Sequence, residues 1–98
     1  TAEMVPMIAF HGALDRTVPI DSSEFGLVGS RVIHNLLQDE QVCSELNVLP
    51  DGGHGDFYRD AEGVAFRVAR ASCFFKSIMC ENCNSLNTEE RLEPSCSN

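Results

Sequence analysis

Two short stretches of the chain carry residues whose types and spacing suit acid–base chemistry. HGALD (11–15) ends on Asp15, and LPDGGHG (49–55) sets His54 among Gly52, Gly53 and Gly55. An aspartate paired with a histidine has a definite use. The carboxylate holds the imidazole in one tautomer and stabilises the imidazolium that forms when the ring takes a proton from a nucleophile. The glycines fit that use, because a ring that must reach a nucleophile on another element needs a backbone free to bend and little bulk beside it.

Asp15 and His54 are far apart along the chain, so other elements must bring them together. MVPMIAF (4–10) is a short apolar run stopped by His11-Gly12, with the length of a strand buried on both faces. Asp21 with Glu24 makes a start like a capping box. Phe25, Val28, Val32, Ile33, Leu36 and Leu37 then recur at helical spacing, which predicts a helix over 23–39. SELNVL (44–49) reads as a second strand closed by Pro50 and the glycines. Asp60 can cap a final helix whose buried stripe is Val64, Val68, Ala71, Phe75 and Ile78. A strand–helix–strand unit is a right-handed crossover that makes its strands parallel and, by expectation, neighbours. Ligands gather outside the carboxyl ends of such strands, and Asp15 and His54 lie in the loops just past those ends.

Composition narrows the function classes. The chain is 43% hydrophobic, which suits one globular unit, and it carries a net charge of -8 with seven scattered Lys and Arg. There is no basic stripe to track phosphates, which argues against a nucleic-acid partner. No apolar stretch approaches the roughly 20 residues of a membrane span; the longest, 64–79, is interrupted by Arg67, Arg70 and Lys76. The first residues carry no signal peptide, and the chain opens on Thr1 and runs at once into a strand, so it reads as a piece of something longer.

Five cysteines, Cys43, Cys73, Cys80, Cys83 and Cys96, suit an oxidising compartment, so the protein is expected to be secreted or periplasmic. Cys80 and Cys83 form a C-x-x-C, but the gaps are irregular for zinc, and the pair follows a helix where a thioredoxin-like motif would precede one. Disulfides account for them better. Cys43, down the second strand, and Cys73, down the returning helix, reach similar depth below the loop edge, which predicts a Cys43–Cys73 bridge. The other three are left to pair among themselves or with a cysteine elsewhere, pinning the polar, acidic segment 80–98 to the body.

PMIAFHGALDRTVPI resembles the segment of the α/β-hydrolase fold that carries the triad acid, H-G-x-x-D-x-x-V-P, and His11, Gly12, Asp15, Val18 and Pro19 match it. LPDGGHG resembles the loop that carries the triad histidine. The order acid, helix, strand, histidine, helix is also that of the end of this fold. The resemblance covers residues 4 to about 79 and is closest to esterases, lipases and serine peptidases. It implies an α/β fold class in which 1–79 form the C-terminal portion of an α/β-hydrolase domain, with parallel strands, followed by a cysteine-containing tail at 80–98. It implies Asp15 as the acid and His54 as the general base, a small ester or acyl substrate, and no metal or organic cofactor.

The chain departs from the family in having no G-x-S-x-G elbow. Gly29-Ser30 is the nearest imitation, but it falls inside the predicted helix between acid and histidine. The oxyanion hole is missing with the serine. These residues alone are therefore expected to be inactive, their partner being the N-terminal part of the same hydrolase. The rival expectation is a non-catalytic assembly module that retains part of the fold. In the family pattern the His11-Gly12 pair shapes the acid loop, and His34 reads as a solvated helix residue. Asp51 and Asp56 compete with Asp15 as the partner of His54, though from its own loop; Asp56, Phe57 and Tyr58 could instead line a substrate entrance. Against any triad, HGALD could be only a strand-to-helix turn with Asp15 capping it and His54 exposed.

Overall fold

The computed structural model describes residues 5–21, 28–56, 61–81, 83, 85–88 and 96. Its elements follow in the order β1 (Met7–Gly12), α1 (Ser30–Asp39), β2 (Ser44–Leu49), α2 (Ala61–Met79) and β3 (Leu86–Thr88). The fold is α/β: the strands form a parallel sheet in the order β1-β2-β3.

β2 is the central strand, and its two faces have different chemistry because successive side chains alternate across a sheet. Leu46 and Val48, 0% and 2% exposed, form a small core with Ile20, against which Ala9 and Ala13 pack. On the same face Ser44 Oγ meets His34 Nδ1 of α1 at 2.7 Å. The opposite face presents Glu45 and Asn47. Arg70 of α2 grips Glu45 there through Nε (3.0 Å) and Nη2 (2.8 Å), and Asn47 Nδ2 donates to the same carboxylate at 2.8 Å. Phe66 of α2 meets Phe10 of β1 edge to face at 6.1 Å on that side. One helix therefore covers each face, as a parallel sheet requires.

β2 agrees with its sequence pattern. β1 instead begins at Met7, with Val5 and Pro6 exposed before it, and is half-buried from Met7 to Phe10 where burial on both faces was expected. It runs on through His11 and Gly12, which pair with Val48 and Leu49 where a stop was expected. The helices need correcting. α1 begins at Ser30, behind an N-cap at Gly29 that has no side-chain cap bond; Asp21 is not its cap but pairs with Arg31 at 2.9 Å. Glu24, Phe25 and Asp60 lie outside the described residues. Val28, Val32, Ile33 and Leu36 are exposed, and the buried face is His34 and Leu37. On α2 the buried residues are Phe66, Arg70 and Phe74, spaced four apart, whereas Val64, Val68 and Phe75 are exposed. The reason is electrostatic. Glu45 is 1% exposed and a carboxylate buried so far needs a partner, so the face of α2 that carries Arg70 turns inward, and uncovering a few apolar groups costs less than burying that group unpaired.

His34 is likewise buried at 0% exposure where a solvated side chain was expected. Burial pushes its imidazole below the ordinary value of 6.5, against the opposing pull of the Glu45 charge. The unfolded chain then binds a proton that the folded chain refuses, so stability is full above pH 6.5 and falls as the pH drops from there towards the folded-state value. Urea midpoints between pH 8 and pH 5 should show this loss, and His34→Gln should flatten it. An unchanged slope in the variant would assign the loss elsewhere.

The predicted Cys43–Cys73 bridge is not formed. Cys43 joins Cys83 and Cys73 joins Cys96, with Cα separations of 5.7 and 5.2 Å, and Cys80 is free and exposed. The polar segment redirects the pairing. It contributes β3, whose Leu86 pairs with Glu45 of β2, and this register brings Cys83 beside Cys43. Two disulfides suit an oxidising compartment. Among the described residues no helix is long and apolar enough to cross a membrane.

Candidate active site

The parallel register carries β1 and β2 to the same edge, with Gly12 opposite Leu49, and each strand then turns into its loop. The loops are joined to each other by backbone bonds: the Ala13 amide donates to the Leu49 carbonyl (3.0 Å) and the Leu14 amide to the Gly52 carbonyl (2.9 Å). The approach is close enough that Gly12 has no room for a side chain; a Cβ there would lie 2.6 Å from the Gly53 carbonyl oxygen and closer still to that of Gly52. Gly12→Ala is therefore expected to destabilise the fold by about 1–3 kcal/mol, the usual cost of overpacking. It should also separate the loops, which a shift in the His54 ring resonances would report; a variant with unchanged stability and spectrum would contradict this close contact.

Within this frame Asp15 and His54 meet, with Asp15 Oδ2 3.0 Å from His54 Nδ1. The other carboxylate oxygen, Oδ1, accepts from the Thr17 and Val18 amides, each at 2.8 Å. The expectation of a turn-capping aspartate and that of a histidine partner thus both describe Asp15, through different oxygens. Its side chain is only 6% exposed, whereas that of His54 is 58% exposed. Burial pushes the Asp15 carboxyl up, but the Val18 amide, the His54 hydrogen bond, the Thr17 amide and the His54 charge together outweigh it and hold the group below its ordinary value of 3.8. An ionised carboxylate can only accept, so His54 Nδ1 carries a proton, and the neutral ring then has its lone pair on Nε2.

His54 borders an open cavity of about 250 Å³ that Asp15, Val18, Phe10 and Asp56 also line. Gly55 follows His54 at φ 83°, a left-handed conformation that favours glycine. Asp56 makes a bond within the histidine's own loop. Its Oδ2 accepts the Gly53 amide at 2.7 Å and so closes the histidine loop on itself. Asp51 is exposed, and Phe57 and Tyr58 lie outside the described residues. Among the described residues no group of three His, Cys, Asp or Glu side chains converges as metal ligands would.

Two further side chains, His11 and Ser30, join the site. His11 is buried against Asp15, with Nε2 3.4 Å from Oδ2. Ser30, placed by the periodicity within a helix, is the first residue of α1, and its Oγ lies 2.7 Å from His11 Nδ1. The sequence marks His11 as part of the acid loop's H-G pair and Ser30 as part of Gly29-Ser30, but neither pattern signals the bond between them.

Compared with protein-family models, with curated proteins and with solved structures, the chain finds no match. The class that fold and site define is therefore an α/β unit with an aspartate–histidine pair at the carboxyl edge of a parallel sheet.

Proposed function

We propose that the chain supplies the acid and the general base of a serine hydrolase of the α/β-hydrolase type, acting on a carboxylic ester in preference to a peptide. The observation that carries this is the Asp15–His54 pair at 3.0 Å, with the far oxygen of the carboxylate tied to two backbone amides and the imidazole open to a cavity. A serine outside these residues attacks the acyl carbonyl, and His54 Nε2 takes its proton. Asp15 stabilises the imidazolium, which returns the proton to the departing alcohol; water then repeats the sequence on the acyl-enzyme.

The open edge of β1 supports a larger partner. Among the described residues β1 pairs only with β2, and Met7, Ile8, Ala9 and Phe10 stay half-buried along it. Parallel strands are normally covered on both faces and flanked by further strands. A strand of the hydrolase half that carries the nucleophile would pair there.

The test is the intact mass of the protein as it occurs in its source, before and after a fluorophosphonate probe. A gain of one probe on a serine outside these residues is expected, together with ester hydrolysis. A folded protein that gains no probe and hydrolyses no ester would overturn the proposal and leave the assembly-module reading, for which the same open edge is the docking surface.

A further inference from the structure

His11 takes no part in the proton transfer just described, yet it is built into the acid's surroundings more tightly than His54 is. Its side chain is 8% exposed. Nε2 lies 2.6 Å from the Val18 carbonyl oxygen and 3.4 Å from Asp15 Oδ2, the oxygen that also bonds His54. A carbonyl can only accept, so Nε2 carries the proton, and in the neutral ring Nδ1 is then the acceptor for the Ser30 hydroxyl at 2.7 Å. The tautomer is thus set from two sides, by the acid loop and by the first residue of α1.

The bond to Val18 matters twice. The same residue whose carbonyl His11 holds gives its amide to Asp15 Oδ1 at 2.8 Å. Holding the Val18 peptide therefore holds one carboxylate oxygen, while the His11 N–H edge faces the other. Both restraints keep the carboxylate turned towards His54.

We propose that His11, fixed in one tautomer by Ser30, is a positioning residue that sets the orientation of the Asp15 carboxylate towards His54. Its effect on rate rests on the hydrolase reading; its effect on the geometry of His54 does not. Ser30 is a brace in this arrangement. Its hydroxyl is spent on a ring whose other nitrogen is closed by the Val18 carbonyl, and it does not line the cavity onto which His54 opens.

The test uses the full-length protein with His11→Leu, His11→Gln and Ser30→Ala. It follows the His54 ring nitrogens by nitrogen-15 NMR across a pH titration, and kcat and KM separately for an ester. Asp15 and Asp56 are the carboxylates that share the cavity with His54, and neither is altered. His11→Leu should lower the pH at which His54 titrates, weaken its Nδ1–H resonance, and reduce kcat about ten-fold with KM unchanged, the scale on which small misplacements of a reacting group act. His11→Gln, whose amide can still donate to Val18 and Asp15, should recover most of the loss. Ser30→Ala should cost about two- to three-fold, a modest share of the same orientation effect. If His11→Leu does not fold, Ser30→Ala and His11→Gln are judged by the same readouts.

A His54 titration and a kcat that do not move in any folded variant would overturn the proposal, as would fluorophosphonate labelling of Ser30. The two readings fail separately. A protein that hydrolyses nothing but shows the shifted His54 keeps the positioning role and loses the hydrolase; an active hydrolase with an unshifted His54 and full kcat does the reverse.

Discussion

Asp15→Asn in the full-length protein is expected to lower kcat by about 10⁴-fold, and His54→Ala by about 10⁶-fold, as in serine triads where the base does the proton transfer and the acid orients the ring and stabilises its charged form. The structure explains why so conservative a change as Asp to Asn should cost so much. Oδ1 accepts the Thr17 and Val18 amides at 2.8 Å, and an asparagine must keep its own oxygen there to satisfy those donors. Its NH₂ then replaces Oδ2, 3.0 Å from His54 Nδ1. That group can only donate, so Nδ1 must give up its proton, the ring carries hydrogen on Nε2, and the base is unable to accept where the nucleophile stands. Two measurements separate this from unfolding: kcat for an ester, and the nitrogen-15 shifts of His54, which should show the exchanged tautomer. An Asp15→Asn enzyme within ten-fold of the parent would remove Asp15 from the triad.

The second large effect is on stability. Breaking the Glu45–Arg70 pair from one side, as Glu45→Leu, should cost about 3–5 kcal/mol, because it leaves a guanidinium buried without its counter-charge. Arg70 is only 6% exposed, so water reaches it poorly. Replacing both, as Glu45→Leu with Arg70→Met, should come within about 1 kcal/mol of the parent or exceed it, since an apolar pair of similar volume avoids desolvating two charges. The amide of Asn47, which donates to the Glu45 carboxylate at 2.8 Å, loses a partner in both variants and moderates the gain. Urea denaturation with the slope held constant would measure both changes. A double variant as unstable as the single one would show that the pair contributes net stability and does more than choose the inward face of α2.

What the sequence by itself determined is the content of the short, strongly patterned segments. β2 is legible in SELNVL to the residue, because a run of strand-forming length is closed at once by Pro50 and the glycines. That Asp15 and His54 share one edge follows from topology: a right-handed crossover makes two strands parallel, and parallel strands deliver their following loops to one edge. Only the tertiary structure decided which sides of the helices are buried, since the apolar stripes of α1 and α2 say what could be covered and not what is. Glu45 chose the face of α2 through Arg70, and Ser44 drew His34 of α1 inward, each a pairing between residues of different elements. The disulfides were likewise out of reach, because they depend on β3, three residues in a polar segment that become a strand only when β2 offers them an edge. The brace from Ser30 through His11 to Asp15 belongs with these. Periodicity is a local property, whereas the partner of a buried polar group is settled by whatever the fold brings within hydrogen-bonding distance.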